Sequence, residues 1–134
     1  MNIYKDLYIV QGLLRDTERG NLIWRKNARG ACFVNFGKEK IGIHVEIERV
    51  QSKPIAQTVI RFSSSDLGEV RVIEPVPKWL FSKRHGSEED QELAEEIRHL
   101  LVVVVDQIAK QQLKDMETED VRKQEIFQRL LSGV

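Results

Sequence analysis

The spacing of apolar residues changes twice along the chain, and those two changes restrict the fold more than any other feature. From residue 3 to residue 19, Ile3, Leu7, Val10 and Leu14 recur at steps of three and four, with Tyr4, Tyr8 and Leu13 beside them. That is helical spacing. Asn2 stands where an N-cap belongs, and Gly20 where a helix stops. Beyond Gly20 the period becomes two. Leu22-Ile23-Trp24 and Ala31–Phe36 read as short strands, with Asn27-Ala28-Arg29-Gly30 as their turn and Gly37–Lys40 as the next connection. Ile41, Ile43, Val45 and Ile47 then alternate with His44, Glu46 and Glu48. After Ser52-Lys53-Pro54 come Thr58–Phe62, a turn at Ser64–Gly68, and Glu69–Ile73. Short strands joined by tight turns make an antiparallel meander, with one face covered and the other alternating to polar.

The second change follows Glu74–Ser87, where Pro75 and Pro77 exclude regular structure. Trp79, Leu80 and Phe81 in this linker are expected to cap one end of the core. Ser87 is placed to cap a helix whose first turn holds Glu88, Glu89 and Asp90. Residues 88–116 contain no Gly or Pro, and Leu93, Ile97, Leu100, Leu101, Val104 and Ile108 form one stripe at about 100° per residue. This settles the run Val102–Val105 as helix, although four valines in a row suit a strand. Thr118, followed by Glu119 and Asp120, reads as the cap of a last short helix holding Val121, Ile126, Phe127, Leu130 and Leu131. The expected fold is therefore α+β over residues 1–134 as a single domain. It has two layers: an N-terminal helix, an antiparallel meander of four or five strands, a long C-terminal helix and a short terminal one. The expected core is Leu7, Val10, Leu14, Trp24, Phe33, Ile43, Val45, Ile60, Ile97, Leu101, Val104 and Ile108.

Composition narrows the function classes. The chain has 134 residues, with 21 acidic and 21 basic side chains in balance, so no global field points to nucleic acid or to a basic partner. Cys32 is the single cysteine, which excludes an intramolecular disulfide and fits a reducing, cytoplasmic setting. The N-terminus lacks a signal-peptide core, and the longest apolar run, Leu100–Val105, falls far short of the ~20 residues that span a bilayer. Neither export nor membrane insertion is expected.

Candidate chemistry is sparse. Glu96 and His99 form a Glu-x-x-His pair, but a carboxylate-bridged metal site needs two such pairs facing inward, and this one sits on the polar side of its helix. His44, Glu46 and Glu48 share a strand face and are explained equally by solvation. Cys32 lies in an apolar strand and reads as a small hydrophobe. An enzyme would use His44 or Cys32, yet no catalytic residue, metal ligand or cofactor is assigned. Val102 and Val103 do not fit the core stripe. Either the chain covers them, or Val102, Val103, His99 and Gln107 form a partner surface, a homodimer seam included. A second class is a nucleic-acid-associated accessory protein whose basic turns, Arg25, Lys26 and Arg29 with Lys78, Lys83 and Arg84, contact phosphate.

The segment LLRDTERGNLIW, Leu13–Trp24, resembles an LLxxTxxGxLxW pattern near the start of small uncharacterised bacterial helix/β-meander/helix proteins. The resemblance extends to the order of elements, to the turn Ser65–Glu69 and to the short helical segment Glu125–Leu131. The match is weakest at the linker Lys78–Gly86. It implies the same α-β-β-β-β-α arrangement and no activity. Physics accounts for the segment: Leu13 and Leu14 close a core-facing helix, Thr17 bonds a carbonyl in its last turn, and Gly20 reverses the chain. Trp24 then packs back on the helix. The expected function is that of a small non-enzymatic binding or adaptor protein acting through protein contacts.

Overall fold

Gly20 ends the first helix as its position in the sequence requires, with a φ of 78° that a side chain rarely adopts. The structure, a computed structural model, describes residues 3–36, 42–51, 55–76 and 88–133. Helix α1 spans Ile3–Glu18, and its last turn is closed by Gly20 N donating to Thr17 O and Asn21 N to Asp16 O. Thr17 Oγ1 donates to Leu13 O at 2.7 Å and accepts from Trp24 Nε1 at 2.9 Å. One hydroxyl thus ties the helix end to the buried tryptophan, and every notable residue of the LLRDTERGNLIW stretch has a structural task.

Five strands follow: β1 (Arg25–Lys26), β2 (Cys32–Phe36), β3 (Ile43–Gln51), β4 (Ala56–Ser64) and β5 (Gly68–Ile73). They form one antiparallel sheet in chain order. The turns carry the chemistry that tight reversals need. Asn27 Oδ1 accepts from Arg29 N and Ala31 N, with Gly30 at a φ of 84°. Ser64 Oγ accepts from Asp66 N and Leu67 N, with Gly68 at a φ of 77°. Leu22 and Trp24 are buried and Ile23 is exposed, as alternation requires, but among the described residues no strand pairs with them. The side-chain amide of Gln107 takes the neighbouring strand's place. Its Oε1 accepts from Trp24 N at 2.7 Å and its Nε2 donates to Leu22 O at 2.8 Å.

The register puts Cys32, Val34, Val45, Ile47, Ile60 and Val72 on one face. There they meet Val10, Leu13 and Leu14 of α1 and the inner row of the last helix, α2 (Glu88–Leu131). Leu93, Ile97, Leu100, Val104 and Ile108 are the buried row, with Leu101 and Val103 packed partly buried beside it. Phe33 is a correction. It lies opposite Glu46 on the other face and stacks on His44, ring centroids 5.6 Å apart, while its neighbours Cys32 and Val34 enter the core.

α2 is 44 residues long and unbroken, where a long and a short helix were expected. Nothing at 116–118 stops it: Thr118 sits inside the helix with Oγ1 donating to Lys114 O, and caps nothing. Among the described residues no helix is long and apolar enough to cross a membrane. Residues 77–87 of the strand-to-helix linker, with Trp79, Leu80, Phe81 and the expected cap Ser87, lie outside the described residues, as do Gly37–Lys40 and the loop Ser52–Pro54.

Candidate functional site

Three places among the described residues gather polar or reactive side chains, and a fourth is apolar and open. The first is the polar end of the core. Glu74, almost fully buried, takes Thr58 N–H on Oε1 at 3.1 Å and Arg98 Nε on Oε2 at 3.1 Å, with Arg49 Nη1 at 3.5 Å. The carboxylate joins β3, β4 and α2 and satisfies a backbone donor on fully buried Thr58. Glu74→Ala strands that donor, and the expected loss is about 2–3 kcal/mol in urea unfolding. Glu74→Gln keeps an acceptor and should recover most of it; an alanine variant as stable as the parent would contradict this role.

The second is the exposed sheet face. His44 shares a hydrogen bond with Asn35 at 2.6 Å and stands 3.6 Å from Glu46. Glu46 also accepts from Asn27 and Arg29, Arg61 pairs with Glu48 and Glu69, and Arg71 with Glu69. Opposite charges alternate across the strands and neutralise one another. Among the described residues, no group of three or more His, Cys, Asp or Glu side chains is placed to hold a metal ion.

The third comprises two clefts on the core side. One, of about 480 Å³, lies between the start of α1 and β3–β5, lined by Ile9, Ile43, Phe62, Val70 and Val72 with Lys5 and Asp6. Burial pushes the Asp6 carboxyl up from its ordinary value. The other, of about 220 Å³, lies between β2, β3 and α2 and contains Cys32. Burial raises the Cys32 thiol, only partly opposed by the Lys26 charge. A thiol held protonated is a poor nucleophile.

The basic turn does not gather into one patch. Arg25 lies opposite Phe33 and Lys26 opposite Cys32, so the pleat sends them to opposite faces. Arg29 reaches Glu46. Lys78, Lys83 and Arg84 lie outside the described residues. Nor do the four residues named for a partner surface stand together. Val102 and His99 are exposed, whereas Val103 packs against the core and Gln107 is occupied by Leu22 and Trp24.

Val102 instead belongs to a longer feature. Every described residue of α2 from Ala109 onward is exposed, including Leu113, Met116, Phe127, Leu130 and Leu131, the last two at 70% and 84%. At about 100° per residue, Val102, Val105, Ala109, Leu113, Met116, Phe127, Leu130 and Leu131 fall within a stripe about 100° wide. It lies roughly 130° around the helix from the buried row. Val121 and Ile126 are exposed outside it. The sequence signal for this surface was the lack of Gly or Pro through Ser132, which leaves these side chains on a helix running past the last buried residue, Ile108. No protein-family model, curated protein or solved structure matches the chain.

Proposed function

We propose that this chain is a non-enzymatic protein-binding module whose docking element is the outer half of α2. The observation that carries the proposal is the apolar stripe on a helical segment that no described part of its own chain covers. Two physical costs argue for a partner. A helix of some 20 residues with no tertiary packing is marginal in water, because most helix stability in proteins comes from burying an apolar face. Large exposed apolar side chains in a row are themselves a mark of contact. The ion pairs on this segment, Lys110–Asp106 at 2.9 Å and Lys123–Glu119 at 3.7 Å, stabilise it only slightly.

Photo-crosslinking in expressing cells tests the reading directly. A photoreactive residue at Leu113 or Phe127 is expected to give protein adducts. The same residue at Glu125 or Arg129, on the opposite side of the helix, should give few. Equal yields from both sides, or none from either, would refute a stripe-specific contact.

A further inference from the structure

We propose that the partner of this stripe is a second copy of the chain, its outer helix running antiparallel to the first. The inference rests on the docking reading above and adds the identity and orientation of the partner. Its argument is charge complementarity inside the stripe.

Between Leu113 and Leu130 the stripe is interrupted at two positions, Asp120 and Lys123, which lie on the same side of the helix as Leu113, Met116, Phe127 and Leu130. Along these six residues the steps alternate between three and four, the spacing at which helices pair side by side. In a parallel pair each residue faces its own copy. Asp120 would then meet the partner's Asp120, and Lys123 the partner's Lys123. Like charges held in an apolar seam are strongly unfavourable.

Reversing one helix about a point between residues 121 and 122 changes every facing pair. Leu113 meets the partner's Leu130, Met116 meets the partner's Phe127, and Asp120 meets the partner's Lys123. Each apolar side chain then faces an apolar one, and the two interrupting charges neutralise each other in two equivalent places. Polar residues within a seam are an established means of fixing register and orientation. Glu119, which stands 3.7 Å from Lys123 of its own helix, adds negative charge on the same lysine. The paired segment, Leu113–Leu130, also lies wholly beyond Ile108, the last buried residue of α2, so the register uses only surface the core leaves open.

The test is a charge exchange read by light scattering after size exclusion, over a range of concentrations. The parent chain is expected at the mass of two chains. Asp120→Lys sets lysine against the partner's Lys123, and Lys123→Asp sets aspartate against the partner's Asp120. Each is expected to raise the dissociation constant by more than about tenfold. The double variant D120K/K123D restores opposite charges and should restore the dimer. A parallel pair would leave the single variants no worse than the parent. Both positions are exposed within one chain, and circular dichroism checks that the variants stay folded.

A dimer indifferent to the single exchanges would overturn this register. A monomeric parent whose Leu113 and Phe127 crosslinks lead to a different protein would overturn self-pairing while leaving the docking function standing. A monomeric parent without crosslinks would overturn both.

Discussion

Trp24→Ala is expected to destabilise the fold by about 3–5 kcal/mol, a large part of the stability of an ordinary domain. Trp24 is the largest of the fully buried side chains among the described residues, 1% exposed, and stands where α1, the first hairpin and α2 meet. Its removal leaves a cavity that three separate elements would have to close. Its indole N–H loses Thr17 Oγ1, and the Thr17 bond to Leu13 O loses its companion. Two milder variants divide the effect. Trp24→Phe retains most of the apolar contact and drops the hydrogen bond. Thr17→Val retains the ring and leaves its buried N–H unpaired, which costs about 1–3 kcal/mol. Urea unfolding followed by circular dichroism gives all three values, and the two single losses should not add in the double variant, because they remove the same bond. An alanine variant within about 1 kcal/mol of the parent would mean that the Leu13–Trp24 stretch does not anchor the fold as described.

That stretch also shows what the sequence makes legible. Thr17, Gly20 and the indole N–H of Trp24 act through neighbours within a few residues, so residue type and spacing alone carry these roles. The helix–meander–helix order was readable for a similar reason: each element shows its period locally. The face chosen by β2 was not. Ala31-Cys32-Phe33-Val34 is apolar throughout, so alternation supplies no phase, and the β3 register decides that Val34 goes in and Phe33 out. The Glu74 cluster was hidden because its partners, Arg49, Thr58 and Arg98, come from three elements far apart in the chain. Gln107 resembled a surface residue, and its role appears only when Leu22 and Trp24 arrive beside it. The candidate site was half legible. Val102 was correctly singled out as lying off the core stripe. The continuation through Leu113 to Leu131 was obscured because Thr118-Glu119-Asp120 imitates a helix start. A cap-like triplet does not end a helix when no breaker precedes it and a threonine hydroxyl can bond the carbonyl four residues back.

Placed at two positions of α2, the same proline substitution should have opposite reach. Val104→Pro is expected to abolish folding, because Val104 is fully buried and the kink would pull Leu100, Val104 and Ile108 off the sheet together. Thr118→Pro carries a similar local cost, about 3 kcal/mol, by removing a helical N–H and crowding the preceding turn. There, no described contact transmits the damage to the core. The segment Thr118–Leu131 should unravel, lowering the helical signal in circular dichroism, while the urea midpoint of the remaining domain stays close to that of a parent held monomeric by dilution. At concentrations where the parent pairs, this variant should run as a single chain. A comparable loss of core stability in Thr118→Pro would place the outer helix against its own domain and remove the basis for a docking surface. Retained pairing would move the contact elsewhere on the molecule. The physical point is cooperativity: one continuous helix is here divided between a half that the sheet holds and a half whose order depends on what it meets.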